Sequence, residues 1–358
     1  MKKILVINPG SSSTKIAVFN NLTPKYLKNI KHPLEKISEF NSISEQFSFR
    51  KKLILNLLKQ ENIPINSFDA IIGRGGFIKP VESGVIRTNE LMVDTLKSGC
   101  LGEHASNLGG MLAHDIAKLS DKEILSFILD PVVVDEMEEL ARFSGIPEIP
   151  RLSIFHALNQ KAVIRRYAKE RGIDISKLNI IVAHIGGGTS LGAHKQGKAI
   201  DVNNGLDGEG PFSTDRSGGV PIGQLRQLCF SGKYTHNEIK LKIKGKGGLI
   251  AYLGTIDGLE IEKRIDNGDN KAKKVYEAMA YQVAKEIGSL ATVLKGKVDA
   301  IILTGGFAYS DLFISWIKER VGFISEIIVY PGEDEMRALA EGAYYALNNE
   351  MPINEYKE

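Results

Sequence analysis

The chain carries one backbone device twice, and this repetition constrains its fold more than any other feature. The first copy runs from Ile4 to Asn21 (ILVINPGSSSTKIAVFNN) and the second from Ile180 to Gly197 (IIVAHIGGGTSLGAHKQG). Aligned without a gap, Gly10 falls on Gly186, an offset of 186 − 10 = 176 residues. Each copy is a β-branched apolar run, a turn of tiny residues and a second strand-like run. Such a strand–turn–strand leaves backbone N–H groups pointing out of the turn, and glycine lets the chain approach a phosphate closely. Two such turns in one chain imply a nucleotide gripped from both sides.

Known phosphate loops are a poor match. A P-loop needs GxxxxGK[ST] followed by a helix. In NPGSSSTK, Asn8 to Lys15, the second glycine is absent and a strand follows. The Gly186 cluster fails the dinucleotide pattern GxGxxG because Leu191 stands where the third glycine belongs. What remains is a hairpin with Asn8 at its mouth and hydroxyls on Ser11, Ser12, Ser13 and Thr14.

At 358 residues the chain exceeds a single core, so two domains are expected. Strand-like runs fall at Ile4–Asn8, Lys15–Asn20, Ala70–Gly73, Leu125–Asp130, Ile180–Ile185, Ala199–Val202, Ala300–Thr304 and Glu326–Tyr330. Helical spacing covers Ile43–Glu61, Asn107–Leu119, Ala157–Arg171, Ala272–Leu294 and Glu335–Asn348. Strands mixed with helices predict an α/β architecture. The weakest join lies around Pro147 to Arg151. It predicts one domain over 1–150, rejoined by a returning C-terminal helix in 336–358, and a second over 151–335.

Composition excludes several function classes. The net charge of +3 selects no particular partner, and nucleic-acid binding needs a concentrated basic face with aromatic platforms. The densest basic stretch, Lys240 to Gly248, has no aromatic neighbours and reads as solvated surface or a mobile loop. Cys100 and Cys229 give neither a disulfide framework nor zinc spacing, which fits a reducing compartment. The N-terminal apolar run is too short for a signal segment, and no run approaches a membrane span. A cytoplasmic protein is expected.

Several glycine-rich turns carry polar residues suited to phosphoryl chemistry. Arg74 sits in Gly73-Arg74-Gly75-Gly76, and a surface role does not call for flanking glycines. Arg216 sits in STDRSGG. Arginine's planar fork suits the charge spread over phosphoryl oxygens. Asp130 ends an apolar run, Glu333 and Glu335 lie in PGEDEM, and Gly305-Gly306 lie in LTGGFAYSD.

VINPGSSSTK resembles the N-terminal signature of the acetate kinase and butyrate kinase family. HIGGGTS, Asp215-Arg216-Ser217-Gly218 and LTGGFA follow in the family's order, so the resemblance runs from Ile4 to about Ala346. It implies two similar ribonuclease H-like, actin-like ATPase domains, each with a mixed five-stranded sheet, and an ATP cleft between them. It also implies roles. Arg74 and Arg216 contact the carboxylate and the migrating phosphoryl group. His156, in IFHALNQ, stabilises the transition state. Asn8, Ser11, Ser13, Lys15, His184 and Gly186, Gly187 and Gly188 hold phosphates, and Gly305 and Gly306 clear space for adenosine. Asp130 is metal-associated, with Glu335 or its neighbour Glu333 organising Mg²⁺. The sequence departs from the family at Gln160, which stands where a second histidine occurs. His104 matches a histidine whose surrounding block is absent here.

The bulky residues that acetate kinases carry before the first arginine are missing at Gly73–Gly76, and DPVVVDEM follows the metal aspartate. Both features resemble butyrate kinases. Removing bulk makes room for methylenes, each contributing about 0.8 kcal/mol, so discrimination among short acids should be modest. The implied reaction is reversible transfer from ATP to butyrate, giving ADP, with propionate, isobutyrate or acetate as alternative acceptors. A sugar kinase needs a carboxylate base and no arginine pair. A nucleotide-switched binding protein needs an appendage for which little chain is left. The family implies a homodimer or higher homo-oligomer.

Overall fold

The computed structural model describes residues 1–357. Its contacts divide into two compact units. One holds Met1–Val134 together with the chain from Asp334 onward, and the other holds Asp135–Glu333. The first break thus precedes the Pro147–Arg151 stretch that composition singles out. The intervening residues are bound to the second unit. Glu136 pairs with Lys161, and the Glu138 N–H donates to the Ile200 carbonyl. Arg151 donates to the carbonyls of Ala141 and Val202.

The first unit is built on strands β1 (Lys3–Pro9), β2 (Ser13–Asn20), β3 (Thr23–Lys31), β4 (Ala70–Arg74), β5 (Val85–Arg87) and β6 (Leu125–Leu129). The second contains β7 (Asn179–Ile185), β8 (Thr189–Lys195), β9 (Lys198–Val202), β10 (Ala300–Gly305) and β11 (Ile327–Pro331). A last short strand, β12 (Ile353–Glu355), returns to the first sheet. The strand orders are β12-β5-β6-β4-β1-β2-β3 and β11-β10-β7-β8-β9. The run β3-β2-β1-β4-β6 therefore recurs as β9-β8-β7-β10-β11, with antiparallel and parallel pairs in the same places. Each unit holds the expected mixed five-stranded sheet, and the first adds β5 and β12 for seven strands. These additions are three residues each, too short to leave a periodic signal. Strand β3 also left none: as an edge strand it is largely exposed and carries Pro24, Lys25, Lys28 and Lys31.

The duplicated device is real in three dimensions, with one slip. Strands β1 and β7 begin and end 176 residues apart, as the gapless alignment requires (179 − 3 and 185 − 9). In the first copy Pro9 pairs with Thr14, leaving Gly10-Ser11-Ser12-Ser13 in the turn. In the second Ile185 pairs with Thr189, leaving only Gly186-Gly187-Gly188. The second turn is one residue shorter. Beyond it the offset becomes 175: the irregularity at Val18/Phe19 recurs at Ala193/His194 (193 − 18).

Alternation along the strands builds two apolar layers in the second unit. Ile181, Ala183, Ile301 and Leu303 join one, with Tyr276, Met279, Val283 and Ile287 from the helix Asn270–Val293. Ile180, Val182, Ala300 and Ile302 join the other, with Ile164 and Tyr167 from the helix Ala157–Arg171. A sheet covered on both faces reads as a continuous apolar run, which is why these strands were legible. In the first unit the helix Glu335–Leu347 packs on the sheet so closely that a Cβ at Gly342 would sit 2.6 Å from Leu129. Among the described residues no helix is long and apolar enough to cross a membrane.

Candidate active site

In the first unit the carboxyl ends of three neighbouring strands carry the site. Ile7 of β1 pairs with Gly73 of the parallel strand β4, and Arg74 of β4 pairs with Leu129 of β6. This register sets Asn8, Arg74 and Asp130 side by side along one rim, where α/β sheets hold ligands. The first residue of the helix Glu335–Leu347 completes the group. Asn8 Nδ2 donates to Glu335 Oε2 at 2.7 Å. Arg74 forms a two-pronged pair with the same carboxylate, at 3.1 Å from Nη1 and 2.9 Å from Nη2. A guanidinium has five N–H donors, and this pair engages two. Asp130 is buried and adopts φ 38°, uncommon for a residue other than glycine. Gly84 fixes it on both sides: the Gly84 N–H donates to Asp130 Oδ1 at 2.7 Å, and the Asp130 N–H to the Gly84 carbonyl at 3.2 Å.

The glycines around Arg74 have a structural cause. A Cβ at Gly73 would lie 2.0 Å from the Gly109 carbonyl oxygen. One at Gly75 would meet Pro131, and one at Gly76 would meet Asn107. Gly73 and Gly76 let the helix Asn107–Ala117 lie close and Gly75 makes way for Pro131, so they do not by themselves mark a ligand loop. His104 is likewise local, with Nδ1 2.9 Å from Ser106 Oγ at the start of that helix.

The first turn rests on a residue that sequence reasoning passed over. Arg50 is fully buried in the helix Phe47–Gln60. Its Nη1 donates to the carbonyls of Gly10 (2.8 Å) and Ser13 (2.9 Å) and to Thr14 Oγ1 (3.1 Å). Its Nη2 donates to the Ser11 carbonyl at 3.1 Å, and Gln46 accepts from Nε and Nη2. By taking these carbonyls Arg50 fixes the loop's shape, and the Gly10 N–H closes it by donating to the Ser13 carbonyl at 2.8 Å. Burial lowers its pKa to about 10, so it remains a cation at neutral pH. Thr14 also meets His32 Nε2 at 2.9 Å; burial and Arg50 push that histidine down to about 4. Ser11 is exposed, Ser13 is half-buried, and Lys15 is exposed on β2 across from Asn8.

In the second unit His184 holds the place of Asn8. Its Nδ1 lies 2.9 Å from Asn159 Oδ1 and its Nε2 3.0 Å from Glu333. The His156 ring stacks on it at 3.9 Å and 15°. His156 Nδ1 lies 2.8 Å from Ser190 Oγ. The expected carboxylates therefore divide: Glu333 partners a histidine in this unit, and Glu335 an arginine in the other.

The second turn is held from inside by hydroxyls. Ser213 Oγ and Thr214 Oγ1 both donate to the Gly187 carbonyl, at 2.7 and 3.2 Å. Arg216 lies against the turn, where a Cβ at Gly188 would come 2.1 Å from its Nη1. Its Nη1 donates to the Gly205 carbonyl, Asp215 lies 3.8 Å from its Nε, and burial lowers its pKa. The stretch Lys240–Gly248 buttresses this loop through its backbone, while Lys240, Lys242 and Lys246 stay exposed as a solvated surface requires. It forms the end of the helix His236–Ile243 and a bridge from Lys244 to Arg216. The Gly245 and Gly247 N–H groups donate to the Asp215 carbonyl, and the Ser217 N–H donates to that of Ile243. Gly305 adopts φ 91°, and a Cβ there would lie 2.4 Å from the Ile185 carbonyl oxygen. A Cβ at Gly306 would meet nothing within 4 Å, so that position leaves open space beside the loop.

A twice-used strand order with hairpin turns and polar side chains at the strand ends defines an actin-like ATPase fold. Three comparisons narrow this. The sequence model of the acetokinase family matches residues 148–315. Butyrate kinase 2 of Clostridium acetobutylicum is 56% identical over 355 residues, 99% of each chain. Butyrate kinase 1 of that organism is 54% identical over 357 residues, the full length of both. The crystal structure of Porphyromonas gingivalis acetate kinase superposes with a TM-score of 0.78 at 23% identity, covering 97% of this chain and 100% of that one. A propionate kinase from Francisella tularensis does so at 0.75 and 20%, covering 96% and 99%. The chain belongs to the acetokinase family.

Proposed function

We propose that this chain transfers the γ-phosphoryl group of ATP to butyrate, reversibly, giving butyryl phosphate and ADP. The observation that carries the reading is its 56% identity, end to end, with a butyrate kinase. The arginines Arg74 and Arg216, each beside a phosphate-type turn or strand end, are its chemical support.

Butyrate is already ionised at neutral pH, with an unperturbed pKa near 4–5, so no general base is required. Catalysis is then positioning and charge stabilisation. Arg74 uses the donors left over from Glu335 to hold carboxylate and phosphoryl oxygens, and Arg216 does the same from its own loop. His156 donates to the equatorial oxygens. Asn8, Ser11, Ser13, Lys15, His184 and the Gly186–Gly188 backbone hold phosphates, and Gly305 and Gly306 border the adenosine.

Mg²⁺ fits this donor set. Among the described residues no three His, Cys, Asp or Glu side chains form a ready-made cage. A nucleotide-borne Mg²⁺ needs only one or two carboxylates, with phosphate oxygens and water as further ligands. Asp130 would hold it, with Glu335 or Glu333 organising the shell. Bound there, the cation would neutralise charge on the transferring group. A cytoplasmic homodimer or higher homo-oligomer completes the reading.

The test is ADP release with Mg²⁺-ATP across acetate, propionate, butyrate, isobutyrate and valerate, alongside glucose and glycerol. Butyrate should give the highest kcat/KM, with its nearest neighbours within about tenfold. Turnover with glucose or glycerol and none with the acids would overturn the reading.

A further inference from the structure

The proton on His156 can be located by following hydrogen bonds from a backbone carbonyl whose role is fixed. Gln160 is fully buried, and its Nε2 lies 3.0 Å from the Ser190 carbonyl oxygen. A carbonyl only accepts, so this end of the Gln160 amide is the NH₂ group. Its second N–H points to Ser190 Oγ at 3.1 Å. The backbone N–H of His156 donates to the same oxygen, also at 3.1 Å. A hydroxyl has two lone pairs and one proton. Two N–H donors fill the lone pairs, so the Ser190 proton goes to its third neighbour, His156 Nδ1, at 2.8 Å. Nδ1 is then an acceptor, and a neutral His156 ring carries its proton on Nε2.

We propose that Gln160 is a positioning residue which, through the Ser190 hydroxyl, holds neutral His156 in the tautomer with its proton on Nε2. The purpose of this device rests on the kinase reading above. An Nε2–H donor stabilises anionic phosphoryl oxygens, whereas the other tautomer turns a lone pair toward them. The far end of Gln160 is equally committed. Its Oε1 lies 2.8 Å from His194 Nε2. His194 is fully buried, and burial with the nearby Lys161 charge keeps it neutral, so its single proton serves this bond. Gln160 thus donates twice and accepts once. A neutral imidazole, with one donor and one acceptor, cannot do all three. That gives a chemical reason for glutamine at the position where the resembling family has its second histidine. Stacking on His184 fixes the plane of the ring whose tautomer is set.

The test is the long-range ¹H–¹⁵N spectrum of the full-length protein labelled at histidine, recorded at about pH 8, above the ordinary histidine range. His156 is assigned by its loss in His156→Gln. The wild type should show His156 as a pure Nε2–H imidazole; a pure Nδ1–H or mixed pattern overturns the proposal. Gln160→Met, which removes the donors at similar volume, should show mixed tautomers. It should also lower kcat by about tenfold or more while ATP KM stays within about twofold. A Gln160→Met protein that keeps the pure wild-type pattern removes Gln160 from the role. If that variant does not fold, the wild-type spectrum still decides. A correct tautomer in a protein that makes no acyl phosphate sinks the kinase reading alone. A wrong tautomer in an active kinase sinks this proposal alone.

Discussion

At the scale of single residues, Arg50 shows how a charge can be hidden in plain sight. Within FRKK nothing in the sequence sets it apart from the two lysines that follow. Only the fold reveals that it turns inward and gathers the carbonyls of Gly10, Ser11 and Ser13. Among the described residues it has no carboxylate partner, so its charge is balanced by backbone dipoles and lies beneath a turn proposed to hold phosphate. Arg50→Met would strand those carbonyls. Stability should fall by about 3 kcal/mol, read from the urea midpoint. ATP KM should rise by about tenfold with a smaller change in kcat. A variant with wild-type ATP KM would show that Arg50 serves stability alone. The residues named from the sequence were visible because glycine and family motifs flank them. Arg50 and Ser190 act through buried hydrogen bonds, which leave no local pattern, and Gln160 stood out only as a departure from the family motif.

At the scale of elements, the sequence resolved strands buried on both faces and missed those that are short or exposed. Strands β1, β4, β7 and β10 are continuous apolar runs, whereas β3 is a polar edge and β5 and β12 span three residues each. The one-residue difference between the two turns was invisible to a gapless alignment, because both turns are tiny residues throughout. Glycine patterns misled in one respect: those around Arg74 serve close packing, Gly73 and Gly76 against a helix and Gly75 against Pro131. Gly73→Ala tests this. Its Cβ would meet backbone at Gly109, which cannot swing aside. A loss of about 1–3 kcal/mol in the urea unfolding free energy is expected. A stability unchanged from wild type would mean that the helix Asn107–Ala117 does not lie this close.

At the scale of the whole molecule, two buried histidines tie stability to pH. His32 titrates at about 4 instead of 6.5, and His194 lies well below 6.5, both chiefly through burial. Below pH 6.5 the unfolded chain binds protons that the folded chain refuses. Stability is therefore full above that value and falls as the pH drops toward 4. Each histidine contributes a slope of up to about 1.4 kcal/mol per pH unit in this window. Urea midpoints at about pH 7.5 and about pH 5 should differ clearly, the acidic one being lower. Equal midpoints would contradict the burial of these rings.

On the proposed reading, a cation-supported, duplicated phosphate device delivers the γ-phosphoryl group of ATP to a carboxylate. The most direct measurement is ³¹P NMR of the protein with Mg²⁺-ATP and butyrate. An acyl phosphate resonance should grow in step with ADP. Formation of ADP with inorganic phosphate as the sole other phosphorus product, at a rate indifferent to butyrate, would contradict it.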